Sequence, residues 1–355
     1  MSDAARIAAY VETMSLADRL GQLVMFGFTG SNAPDADYQA LFERYHVGNF
    51  MLYGQNIHSD DGDGGFARAG RLAAALQSGT MGAAAPLIGI DVEGGSVVRF
   101  NWDDRPASAR TLGQSGDTAR AKSQFQSIGE GLISSGISLN LAPVLDVAPD
   151  PMSTFLTTRI ISSDAATAAA IGAAAIEGLH AAGCLAGAKH FPGHGGTSAD
   201  SHDATPVIDK SLEAMLGYDL VPFSAAVEAG VDVMLVAHIS YPAIDAEHIA
   251  SQSALIIDGL LREQMGFAGV VMSDDFRMGG LTNRYEPGEA ALRFLNAGGD
   301  LILCGARLSE QESIMQALHA AAEAGSLSEA RINESVARIL LLKWRAGLFS
   351  PEISA

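Results

Sequence analysis

The sequence predicts an α/β fold, a single (β/α)8 barrel spanning residues 1–355, on three observations. Short apolar runs alternate with Ala- and Leu-rich amphipathic stretches, the pattern of parallel βαβ units. The alternation repeats eight times. Polar residues collect at the C-terminal ends of the apolar runs, the ends that converge on one mouth when such a sheet closes.

In order, the runs are QLVMFGF (22–28), VGNFMLY (47–53), PLIGID (86–91), SLNLAPVLDV (138–147), LAGAKH (185–190), VDVMLVAH (231–238), GVVMSD (269–274) and DLILCG (300–305). Helices are expected between them, among them 70–77, 165–182, 211–229 and 289–297. A doubly wound sheet shares this pattern. The strand ends favour a TIM barrel, because Asp91, Asp146, Lys189, His190, His238 and Asp274 all fall there. An aspartate after a strand can simply cap a helix, but Lys189 and His190 cap nothing.

Composition narrows the function. The formal charge is −19, from 41 acidic and 22 basic residues, which argues against a nucleic-acid partner. Cys184 and Cys304 lie inside apolar segments and read as buried, reduced residues. The opening MSDAARIAAYVETMSLADRL carries Asp3 and no continuous apolar stretch, so it does not read as a signal peptide. No run is long enough for a membrane span. A cytoplasmic protein is expected, a monomer or weak homo-oligomer, with a short tail at about 350–355.

Two long connections stand out. IHSDDGDGGF (57–66) reads as a solvated surface excursion. The segment 191–210 lacks periodicity, and loops of that length are often functional. It continues from Lys189 and His190 through Asp200 and His202. The spacing of those two lets the carboxylate hold one ring nitrogen and leave the other for proton transfer, which makes His202 a candidate general acid/base. Glycines 193, 195 and 196 are expected to let the loop swing over substrate. His190, His194, Asp200, His202 and Asp203 could instead bind a metal, although no metal-binding spacing is present, or simply satisfy loop backbone. The opposing group is Asp274. Strand alternation allows only one of Asp274 and Asp275 to face the mouth, which leaves Asp275 as a helix cap or a supporting partner. A carboxylate nucleophile with a proton donor is the minimum equipment for retaining glycoside hydrolysis.

KHFPGHGGTSADSH (189–202) resembles the KHFPGHG-x-T-x-x-DSH signature of glycoside hydrolase family 3, in particular its single-domain bacterial β-N-acetylglucosaminidases (β-hexosaminidases) of peptidoglycan recycling. VVMSDDFRM resembles the family's nucleophile segment, and similar stretches extend from MSLADRLGQLVMFGF to INESVARILLLKWRAGL. The resemblance implies Asp274 as nucleophile, His202 as acid/base assisted by Asp200, and substrate binding by Asp91, Arg99, Arg159, Lys189 and His190. It implies removal of terminal β-linked N-acetylglucosamine from muropeptides, with no cofactor. Apart from the resemblance, Arg99 reads as a surface salt bridge. The family's D-Q-E-G-G-R-V-x-R stands here as Asp91-Val-Glu-Gly-Gly-Ser-Val-Val-Arg99, with Val92 and Ser96 in place of Gln and Arg, and TTRIISSD lacks the usual Ser-Phe/Tyr after Arg159. Two alternatives stay open: a phosphorylase on the same scaffold, since a neutral His does not repel phosphate, and a non-catalytic sugar-binding barrel.

Overall fold

The computed structural model of the protein describes residues 2–58, 65–79, 84–201 and 203–349. His202, most of the loop at 57–66 and the tail at 350–355 lie outside the described residues. Eight parallel strands form the core: β1 (Val24–Gly27), β2 (Asn49–Leu52), β3 (Leu87–Ile90), β4 (Leu139–Asn140), β5 (Leu185–Phe191), β6 (Val233–Val236), β7 (Val270–Ser273) and β8 (Ile302–Cys304). They pair in the order β7-β6-β5-β4-β3-β2-β1-β8. Met272 bridges to Leu301, next to β8, so the sheet closes on itself as a (β/α)8 barrel. Every strand residue is buried. That is why the strands appear in sequence as continuous apolar runs rather than alternating ones.

The seam is held by Asp300. Its buried carboxylate accepts from the Val271 N–H at 3.0 Å and pairs with Arg262, Arg331 and Arg338. Arg331 and Arg338 belong to the helix Glu329–Arg345, which is thereby tied to the barrel wall.

Two elements differ from expectation. The fourth strand occupies only Leu139–Asn140 of the expected 138–147. Pro143 has no N–H to donate to a ladder, and beyond it only Val144 bridges, to Lys189. The helix expected at 211–229 is two, Leu212–Leu216 and Val221–Glu228. Pro222 stands in the first turn of the second, where a missing N–H costs nothing, whereas in the interior of one continuous helix it would leave a turn unbonded. The segment between Phe191 and Leu212 carries no helix or strand among its described residues, as its lack of periodicity predicted.

Lys343, on the last helix, is fully buried and donates to Gln22 Oε1 at 2.7 Å and to the Gly48 carbonyl at 2.9 Å. Burial pushes its ammonium down to about 7, against 10.5 for an exposed lysine. Between those values the unfolded chain binds the extra proton and the folded chain does not, so this group's contribution to stability grows as pH rises. The stability of wild type relative to Lys343→Met should therefore increase by roughly 2 kcal/mol from pH 7 to pH 9. Urea unfolding at both values measures it, and a pH-independent difference would contradict it.

Candidate active site

The C-terminal ends of the strands surround a cavity of about 460 Å³. Its walls include Tyr53 after β2, Asp91 and Glu93 after β3, Lys189 and His190 from β5, Asp274 and Asp275 after β7, and Arg307 after β8. Arg159 reaches in from the turn Thr157–Arg159.

One floor of the cavity is a network of buried charges. Lys189 Nζ lies 2.7 Å from Asp91 Oδ1 and 2.6 Å from Glu93 Oε1. Arg159 grips Glu93 through two bonds, Nε to Oε2 at 2.8 Å and a terminal nitrogen to Oε1 at 2.9 Å. Arg99 lies 3.5 Å from Asp91 Oδ2. Burial alone would push the Glu93 carboxyl up, but Lys189 and Arg159 outweigh it and hold it at about 2. Burial likewise disfavours the Lys189 ammonium, yet Asp91 and Glu93 raise it above its ordinary value. Lys189 and Arg159, with the more exposed Arg99 at the edge, thus offset the two carboxylates, the condition for keeping charge inside a protein. Asp91 retains lone pairs beyond these contacts, so it can accept from sugar hydroxyls while Lys189 and Arg99 donate.

Asp274 and Asp275 both line the cavity, although strand alternation was expected to admit only one. β7 ends at Ser273, and past it the two-residue period no longer governs direction. Their surroundings separate them. Asp275 accepts from Arg277 through two side-chain nitrogens, from the Gly305 N–H at 3.1 Å and from the Tyr53 hydroxyl at 3.0 Å. Burial would raise its pKa, but these donors lower it. It is the supporting partner of the expected pair rather than a helix cap. Among the described residues, Asp274 accepts one bond, from the Asp275 N–H at 2.8 Å, which leaves it further capacity at the cavity.

Asp146, fully buried, organises the other wall. It accepts from His190 Nδ1 at 2.7 Å, and from the backbone N–H groups of His190 and His194. Burial would raise its pKa, and His190 outweighs that and lowers it. The glycines that follow sit in tight surroundings. Gly193 has φ +125°, an added Cβ at Gly195 would stand 1.8 Å from the Val147 carbonyl oxygen, and Gly196 packs on Ile208. The Tyr241 hydroxyl donates to the Gly193 carbonyl at 2.8 Å. Gly195 is glycine because backbone approaches backbone there, Gly193 because of its left-handed φ, and Gly196 because the Ile208 side chain leaves little room, reasons separate from the expected swing.

A model of the glycosyl hydrolase family 3 N-terminal domain matches residues 15–342. The chain belongs to glycosyl hydrolase family 3. Among its family relatives, β-hexosaminidase LpqI of Mycobacterium tuberculosis is 33% identical, over 93% of this chain and 83% of that protein. β-Hexosaminidase A of Pseudoalteromonas piscicida is 30% identical, over 93% of this chain and 61% of that protein. The structure of a family 3 β-N-acetylglucosaminidase from Paenibacillus sp. str. FPU-7 superposes with a TM-score of 0.89 at 34% identity, covering 96% of this chain and 64% of that one. The chain therefore spans less than two thirds of the length of two of these three.

In this family 3 chain, Asp91, Arg99, Arg159, Lys189, His190 and Asp274 are brought to one cavity, and Arg99 is there as a wall residue rather than a remote surface ion pair. Asp200 is half-buried and not part of the wall, whereas its neighbour Ser201 is. His238 does not line it either: its Nδ1 lies 2.8 Å from the Ser251 hydroxyl, and burial lowers its pKa. Val92 is buried and Ser96 exposed, and neither of these departures from the family pattern touches the cavity. Cys184 and Cys304 are free and buried. Among the described residues no helix is long and apolar enough to cross a membrane.

Residues not singled out from sequence also matter. Glu93 is the largest omission, with Tyr53 and Arg277 around Asp275. A buried lysine such as Lys189 demands a carboxylate partner, and that demand was the available signal.

Proposed function

We propose that the chain is a retaining exo-β-N-acetylglucosaminidase. Asp274 attacks C1 of a terminal β-linked N-acetylglucosamine, while His202, oriented by Asp200, gives its proton to the leaving oxygen. A covalent glycosyl-Asp274 forms and the aglycone departs. His202 then takes a proton from water, which attacks C1 and restores the β configuration. Asp91, Arg99, Arg159, Lys189 and His190 hold the sugar's hydroxyls and orient C1 toward Asp274. N-acetylglucosaminyl-anhydromuramyl peptides of the cytoplasm are the proposed natural substrates, on the strength of the signature at 189–202.

The observation that carries this reading is the placement of Asp274. It opens into the same cavity as the Asp91–Lys189–Glu93–Arg159 network, with most of its hydrogen-bonding capacity unused among the described residues. The names of the relatives, β-hexosaminidases and a β-N-acetylglucosaminidase, support the sugar. Proton NMR during hydrolysis of an aryl N-acetyl-β-glucosaminide tests it: the first sugar released should be the β anomer of free N-acetylglucosamine, unchanged by added phosphate. An α anomer would overturn retention, and a sugar 1-phosphate would make the protein a phosphorylase.

A further inference from the structure

Ser201 is held from two directions. Its hydroxyl lies 2.8 Å from His194 Nε2, and its carbonyl accepts from the Gly280 backbone N–H at 2.9 Å. Ser201 and His194 are each 1% exposed, and both line the cavity with Asp274.

His194 is packed on several sides. Asp146 holds its N–H, Phe155 packs edge-on against its ring with centroids 4.6 Å apart, and Gly195 beside it has no room for a side chain. Burial lowers its pKa to about 4, so the ring is neutral near pH 7. Its Nδ1 is buried without a partner among the described residues. A proton on Nδ1 would be a stranded buried donor, so the proton belongs on Nε2, where it donates to Ser201 Oγ.

Gly280 follows Asp274 on the same connection, in the helix Gly279–Thr282. An added Cβ there would stand 2.8 Å from the His238 carbonyl oxygen and 3.1 Å from that of Ser201. On the far side of residue 202, Asn283 Nδ2 donates to the Asp203 carbonyl at 3.1 Å, and Thr205 Oγ1 donates to the Gly280 carbonyl at 2.7 Å. The chain on both sides of residue 202 is therefore docked on the connection that carries Asp274.

We propose that His194 and Ser201 are positioning residues for the acid/base: their hydrogen bond, together with the Ser201–Gly280 backbone bond, holds the residue next to the acid/base in sequence against the connection that carries the nucleophile. This rests on the reading of His202 given above. Proton donation to a leaving oxygen needs close geometry and matters only when the leaving group is basic. A dinitrophenolate departs without a proton, whereas a sugar or alkyl alcohol does not.

The test is the leaving-group dependence of kcat/KM, compared between dinitrophenyl N-acetyl-β-glucosaminide and an N-acetylglucosamine disaccharide. Ser201→Ala should lower kcat/KM by about 10- to 100-fold on the disaccharide and by less than about 3-fold on the dinitrophenyl substrate. His194→Phe should show the same split, and His194→Gln, which keeps an N–H near the Nε2 position, should recover part of it. His202→Ala is the reference and should split further. Equal losses on both substrates for Ser201→Ala, or no loss, while His202→Ala splits, would overturn the positioning role and leave the acid/base reading standing. No split for His202→Ala would bring down that reading and the inference with it.

Discussion

Asp274→Ala should lower kcat on an aryl N-acetyl-β-glucosaminide by on the order of 10⁴-fold or more, because removing a nucleophile abolishes the covalent route outright. The substitution has a small structural cost. Asp274 is half-buried and, among the described residues, its carboxylate accepts only the Asp275 N–H, so the folded protein should remain. That permits a second readout. Azide, small and anionic, fits the space the carboxylate vacates and can attack C1 from the same side. With a dinitrophenyl substrate the expected product is the α-glycosyl azide, formed by a single inversion. Steady-state kinetics and product NMR measure both effects. Wild-type turnover, or a β-configured azide, would move the nucleophile elsewhere. Asp275, one residue on, is the obvious rival, but it is saturated by Arg277, Gly305 and Tyr53, which leaves it little basicity to offer a sugar.

Glu93→Ala should destabilise the fold by roughly 3–5 kcal/mol, the cost of leaving buried charge without its partner. Lys189 and Arg159 would then share Asp91 alone, and Arg159 would lose both of its short bonds. Sugar binding should suffer with it, because Lys189 and Asp91 would no longer be held in register. The carboxylate also predicts a pH dependence. Its pKa is about 2 in the folded chain and near 4.5 when unfolded. Its contribution is therefore complete above about pH 4.5 and is lost as pH falls from 4.5 toward 2, about 3 kcal/mol in total. Urea unfolding of wild type and Glu93→Gln at pH 7 and pH 3 measures it. The gap between them should narrow at the lower pH, and a gap that widened would contradict the charge network.

The fold was legible because burial on both faces writes each strand as an unbroken apolar run; seven of the eight strands lie inside the stretches expected for them, and β5 runs one residue beyond, to Phe191. Boundaries were misjudged where a proline acts through its missing N–H, at Pro143 and at Pro222. The site was legible where a charged residue ends an apolar run, as Asp91, Lys189 and Asp274 do. Glu93 was not, since in sequence it looks like any solvated acid and its partner Arg159 is 66 residues away. The packing reason for one loop glycine was hidden in a related way. Sequence shows that a side chain is missing at Gly195 but not that the Val147 carbonyl occupies its place.

The central claim is that a sugar becomes covalently attached to Asp274, and trapping measures this directly. Incubation with a 5-fluoro N-acetylglucosaminyl fluoride, followed by proteolysis and tandem mass spectrometry, should place one fluorosugar on the peptide VVMSDDF with fragment ions assigning it to Asp274. A label on Asp275 or on any other carboxylate, or consumption of the reagent with no sugar ever bound to protein, would contradict the account.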